Sequence, residues 1–177
     1  MKKLGMVVAA FTLLAAPALA ATVAETTGIN STLGIAPTTP DFVQEAAISD
    51  MFEIQSSELA EQKDVAAPVK TFAQQMITDH TKTSTELKSI VQTNELKASI
   101  PTDLDSSHAK MLDTLRGLNG GDFTKQYVSD QVSGHKDAVS LFQRYAKSGT
   151  DTSLKDWAGK TLPTLRHHLE MAENLKK

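Results

Sequence analysis

Four long stretches of this chain repeat apolar residues at three- and four-residue steps, a period that commits them to amphipathic helices. The first starts at Thr39-Pro40-Asp41, with Thr39 expected as cap and Pro40 at the first helical position, and runs to about Gln62. Its inner face reads Phe42, Ala46, Ser49, Phe52, Ser56 and Leu59. The second restarts at Pro68 and carries Val69, Ala73, Met76, His80, Thr83, Leu87 and Ile90 to about Glu95. The third, Asp122 to about Lys147, turns Val128, Gln131, His135, Ala138, Phe142 and Tyr145 inward. The fourth follows Asp151 with Leu154, Ala158, Thr161, Leu165, His168, Ala172 and Leu175. Seams of this kind bury their stripes against one another, so the expected fold is all-α, a four-helix bundle.

The connection between the second and third helices is longer than a hairpin needs. Ile100 precedes Pro101 and is biased towards extended backbone, a short helix is expected from about Ser106 to Leu118, and Asn119-Gly120-Gly121 should stop it. Pro163 lies inside the fourth helix, where it removes a backbone donor one turn before His168; a bend is expected there.

Ahead of the helices, Lys2-Lys3, a short apolar run and Ala18-Leu19-Ala20 read as an export signal over residues 1–20, cleaved before Ala21. Residues 21–39 are rich in Thr, Gly and Pro and read as a flexible tail, leaving 40–177 as the folded domain. With Lys2 and Lys3 removed, 16 Lys and Arg face 21 Asp and Glu, a balance of −5 with both signs interspersed, which argues against a nucleic-acid partner. There is no cysteine, which excludes disulfides, thiol chemistry and thiolate-bound metal. The expectation is a periplasmic or secreted protein without a transmembrane helix in its mature chain. Outer-membrane association is left open, and the partner would be an unknown envelope protein or a second copy.

Three positions break the apolar pattern. His80, His135 and His168 each occupy the middle of an inner stripe where a leucine would be expected. A buried imidazole must be hydrogen-bonded, must bind an ion, or costs stability. Three readings stay open: a neutral network bonded to Ser49, Ser56, Thr83, Thr161 and Gln131; a metal site; or a proton switch. His108 and His167 fall on outer faces, and Asp79 reads as a surface charge rather than a partner of His80. Met51, Met76, Met111 and Met171 read as core filler, Trp157 and Tyr127 as packing residues with a polar end near solvent.

The segments AAISDMFEIQSSELAEQ, VKTFAQQMITDH, FTKQYVSDQVSGHKDAVSLF and WAGKTLPTLRHHLEMAENL resemble an exported bacterial family, domain of unknown function 4142, over about residues 40–175. The resemblance implies a ferritin-like four-helix bundle in an exported or outer-membrane protein, with motif histidines matching His80, His135 and His168. It implies no activity. Ferritin-like di-iron proteins also carry Glu-x-x-His pairs. Here Ile77, Val132 and Leu165 stand three residues before the histidines, so ferroxidase chemistry is not expected.

Helix rise then sets which histidines can meet. His80 and His135 both sit near mid-helix and come level in either topology. His168 lies about five residues, roughly 7 Å, from that level, and Glu53 about four residues, roughly 6 Å. If the second and third helices are parallel, with residues 96–121 as a ferritin-like crossover, Glu53 and His168 shift to the same end and form a second layer. We expect that crossover. The candidate metal ligands are therefore His80, His135, His168 and Glu53, suited to Zn, Cu or Ni rather than a di-iron centre. No catalytic residue is named. The preferred function is a non-enzymatic envelope protein that binds a partner, with a ferritin-like metal-binding or redox-protective protein as the alternative.

Overall fold

The computed structural model describes residues 29–176. Residues 1–20, read as an export signal, and the first part of the tail lie outside the described residues. The helices are α1 (Ile29–Leu33), α2 (Thr39–Gln62), α3 (Ala67–Thr93), α4 (Ser106–Gly117), α5 (Gly120–Ser148) and α6 (Thr152–Leu175).

Local chemistry explains the boundaries. Thr38, one residue earlier than expected, caps α2: its hydroxyl accepts from the Asp41 N–H at 3.3 Å and donates to Asp41 Oδ2 at 2.8 Å. Thr39 is thereby freed to reach Tyr145 Oη at 2.7 Å. Pro68 sits in the first turn of α3, which ends where Glu95 takes a left-handed φ of 50°. Asp105 caps α4 through the N–H groups of Ser107 and His108, and Asp151 caps α6 through that of Leu154. Between α4 and α5, Gly120 does not merely stop the first helix. It opens the second at φ 54°, a conformation glycine adopts without steric cost. Lys63 then ties three elements together, donating to the carbonyls of Arg116 and Leu118 and to Asn119 Oδ1 at 2.7–3.1 Å.

Part of the expected tail is built into the fold. Residues 29–38 contain α1, Pro37 is buried, and Arg144 donates to the Ile35 carbonyl at 2.7 Å. Composition could not show this, because the anchoring residue lies 109 positions along the chain.

Two apolar clusters define the bundle and its direction. One joins Phe42 and Ala46 at the start of α2 with Leu87 at the end of α3, Phe142 and Tyr145 at the end of α5, and Leu154 at the start of α6. The other joins Phe52 and Ala60 of α2 with Phe72 and Met76 of α3, Leu115 of α4, Tyr127 of α5 and Ala172 of α6. α3 and α5 are therefore parallel, and residues 94–119 travel the length of the bundle between them. This is the ferritin-like crossover, with α4 as its short extra helix. At one end, Phe42 stacks on Tyr145 with ring centroids 3.9 Å apart. Burying each such side chain contributes roughly 1.5–3 kcal/mol. No helix among the described residues is long and apolar enough to cross a membrane.

Candidate metal centre

Between the two apolar clusters lies a polar layer. Asp50, Glu53, His80, Gln131, His135, Thr161 and His168 are each at most 7% exposed. All three histidines meet in it. Their ring centroids are 5.4–5.6 Å apart pairwise, and one nitrogen from each ring lies within 4.8 Å of one from each of the others. The two-layer arrangement expected from helix rise is corrected here: His168 joins His80 and His135, because an imidazole spans enough of the axis to make up one turn.

Glu53 does not join them. Its Oε1 lies 3.7 Å from His135 Nδ1, the nitrogen that also donates to the Gln131 carbonyl at 2.8 Å. It therefore stands behind His135 instead of in the cluster. Space for it comes from Gly134, where a Cβ would sit 3.2 Å from Glu53 Oε1.

Each ring uses one nitrogen outward. His80 Nδ1 bonds Asp50 Oδ1 at 2.7 Å, and Asp50 is itself held through Oδ2 by Thr83 at 2.9 Å and Ser84 at 3.1 Å. His168 Nε2 bonds Asp79 Oδ2 at 2.8 Å. These partners assign the proton to the outward nitrogen of each neutral ring. The remaining nitrogens, His80 Nε2, His135 Nε2 and His168 Nδ1, are buried and have no hydrogen-bond partner. Of the neutral network read from the sequence, the described bonds include His135 to the Gln131 carbonyl, Gln131–Ser56 at 3.2 Å and the indirect link of His80 to Thr83 through Asp50. Thr161 bonds its own helix.

The electrostatics differ from ring to ring. Burial opposes protonation of His80, but the hydrogen bond and charge of Asp50, with Glu53 and Asp79 beyond, outweigh it and hold its pKa above the ordinary value. Burial, reinforced by the His80 charge, pushes His135 down to about 4. His168 also falls to about 4, with burial and its two histidine neighbours outweighing Asp79. At neutral pH His135 and His168 thus present lone pairs, while the Asp50 carboxylate makes His80 the most basic ring of the three. Burial raises the Glu53 carboxyl to about 7 against the pull of His80 and the Gln131 hydrogen bond.

Two outer residues escaped the sequence reading. Asp50 follows the inner-stripe Ser49 and stands three residues before Glu53, so an acidic i, i+3 pair on an inner face was the available signal. Asp79 was read as a surface charge. It is indeed not the partner of His80, but it reaches across to His168 on α6. His108 is also less solvated than expected, resting edge-on against Phe52 with centroids 5.4 Å apart. Tyr127, expected to keep its polar end near solvent, is fully buried and bonded to Ser57 at 2.8 Å.

Comparison with known proteins agrees with the architecture. A solved structure, "CopM in the Cu(II)-bound form", superposes with a TM-score of 0.67 at 17% identity, covering 80% of this chain and 97% of that one. At that identity the likeness concerns the fold alone. No curated protein matches the sequence. The family model described as Domain of unknown function (DUF4142) matches residues 24–175, all four bundle helices and the three histidines included, and the chain belongs to that family.

Proposed function

We propose that this protein binds one transition-metal ion in the bundle core through His80 Nε2, His135 Nε2 and His168 Nδ1, and that it acts in the bacterial periplasm. The observation that carries the reading is the set of three orphaned imidazole nitrogens facing one buried space. A network evolved only for packing would satisfy them, since each unpaired buried polar atom costs about 1–3 kcal/mol. Outer partners on every ring are what metal-binding histidines have, because they fix the tautomer and the ring plane. Three imidazoles backed by two carboxylates suit Cu(II) or Zn(II) better than a hard, oxygen-seeking ion. The Cu(II)-bound state of CopM, a bundle of the same shape, favours copper as the first ion to try. Glu53 serves as a buried acid behind His135. The bound ion would supply a localised positive charge, facing the Asp50 carboxylate across the His80 ring.

The test is direct. Untagged protein, stripped by chelator, is titrated with Cu(II) and Zn(II) while metal content and melting temperature are measured. A site specific to the folded state stabilises it by about 2.7 kcal/mol at a hundredfold excess over Kd, roughly 5–10 °C for a chain of this size. Stoichiometric binding lost in His80→Ala and His135→Ala is expected. Absence of binding and of any metal-dependent shift, under oxidising and reducing conditions alike, would return the protein to the reading of a partner-binding scaffold.

A further inference from the structure

An ion can reach a buried triad only where the wall is polar and open, and the three histidines differ in what stands behind them. Asp50, behind His80, is 7% exposed, and Gln131, behind His135, is fully buried. Only His168 is backed by a group that reaches solvent, the 24% exposed side chain of Asp79. Asp79 lines a groove of about 650 Å³ between α3 and α6, together with Thr83, Glu86, Asp156, Trp157 and Thr161. Thr83 on that wall donates to Asp50 Oδ2, so the groove touches the outer partner of His168 and lies one hydrogen bond from that of His80.

A second depression offers no such path. It lies at the far end of the bundle among Pro68, Phe72, Met171 and Leu175, and the Phe72 ring stands 6.4 Å from that of His135. A hydrated cation sheds its water at high cost against hydrocarbon. The α3–α6 groove is lined by the oxygens of Asp79, Thr83, Glu86 and Asp156, alongside the Lys82 and Lys160 cations.

We infer that the groove between α3 and α6 is the way in for the metal ion, with Asp79, which holds His168 by its outward Nε2, as the positioning residue that draws the ion from water towards the triad. This rests on the metal reading above. The geometry of Asp79 suits the role: Gln75 Nε2 at 2.6 Å and His168 Nε2 at 2.8 Å both engage Oδ2, and neither engages Oδ1. Trp157 is held at the groove wall by its bond to Glu86 Oε2 at 3.0 Å, which places a reporter on the path.

The test follows capture and release separately. Chelator-stripped, untagged protein is mixed rapidly with Cu(II), and quenching of Trp157, the sole tryptophan, is read alongside Cu(II) absorbance. Release is timed by transfer to excess chelator. Asp79→Asn keeps an oxygen for His168 but removes the charge, so capture slows about tenfold and loses part of its salt dependence. Thr164→Phe, at an exposed position on the groove wall, slows capture and release by the same factor and leaves the equilibrium affinity unchanged. Lys160→Glu, on the same groove, makes capture faster. Ser133→Phe, an exposed position on α5, changes neither rate. Normal capture rates in both Asp79→Asn and Thr164→Phe, with metal still bound, overturn the route and leave the site standing. Failure of wild type to bind Cu(II) overturns both.

Discussion

Replacing His135 with leucine separates an imidazole kept for packing from one kept for a ligand. His135 is 1% exposed, its Nδ1 donates to the Gln131 carbonyl, and its Nε2 has no partner. Leucine has a similar volume, so no sizeable cavity opens. The lost hydrogen bond contributes about 1 kcal/mol, and its loss orphans nothing, because the Gln131 carbonyl still accepts the helical N–H four residues on. The unpaired nitrogen costs about 1–3 kcal/mol, which leucine removes. The balance favours the variant by roughly 1 kcal/mol without metal, a rise in Tm of about 2–4 °C. Chelator-treated wild type and His135→Leu are melted side by side under circular dichroism, then again with Cu(II). The variant should melt higher when stripped and should lose most of the metal-induced shift. A stripped variant melting more than about 5 °C below wild type would refute the reasoning, since the imidazole would then be a satisfied part of the core.

Other outcomes follow from the same layer. Because burial holds Glu53 near 7 instead of 4.5, the folded state binds the extra proton between those values, and stability falls as pH rises through them. Glu53→Gln should therefore gain on the order of 2 kcal/mol in urea melts at pH 8 and nothing at pH 4; a pH-independent difference would contradict this. His135 behaves in the opposite sense. With its pKa held near 4 rather than 6.5, the unfolded chain takes the proton first, so stability present above 6.5 is lost as pH falls towards 4, and His135→Leu should flatten that limb. Asp50→Asn should weaken metal binding about 10–100-fold by calorimetry with helix content unchanged, and an unaltered affinity would mean that His80 is not oriented from behind. Away from the site, Phe42→Ala should cost about 3–5 kcal/mol in chemical unfolding, because Phe42 is fully buried against Tyr145 and Trp157.

The four long helices, their inner faces and the odd placement of the histidines were legible in the sequence, because a helix's buried stripe is a local property with a fixed period. Thr38 shows the limit of that legibility: two adjacent threonines can each cap, and only the nearby Tyr145 hydroxyl decides which one is spent elsewhere. The direction of α5 was inferred from the length of residues 96–121, and packing of Phe142 and Tyr145 beside Phe42 bears it out. What spacing could not supply was the reach of side chains across helices. Axial rise put His168 a turn away from its partners, yet the ring closes that gap, while Glu53 is turned behind His135 into the space left by Gly134. The pairing of Asp50 with His80 and of Asp79 with His168 joins positions 30 and 89 residues apart, and no local pattern encodes such a contact. The sequence determined that three imidazoles would be buried. The tertiary structure alone decided that each spends one nitrogen outward and leaves the other facing its neighbours, because that depends on which groups on adjacent helices come within hydrogen-bonding distance.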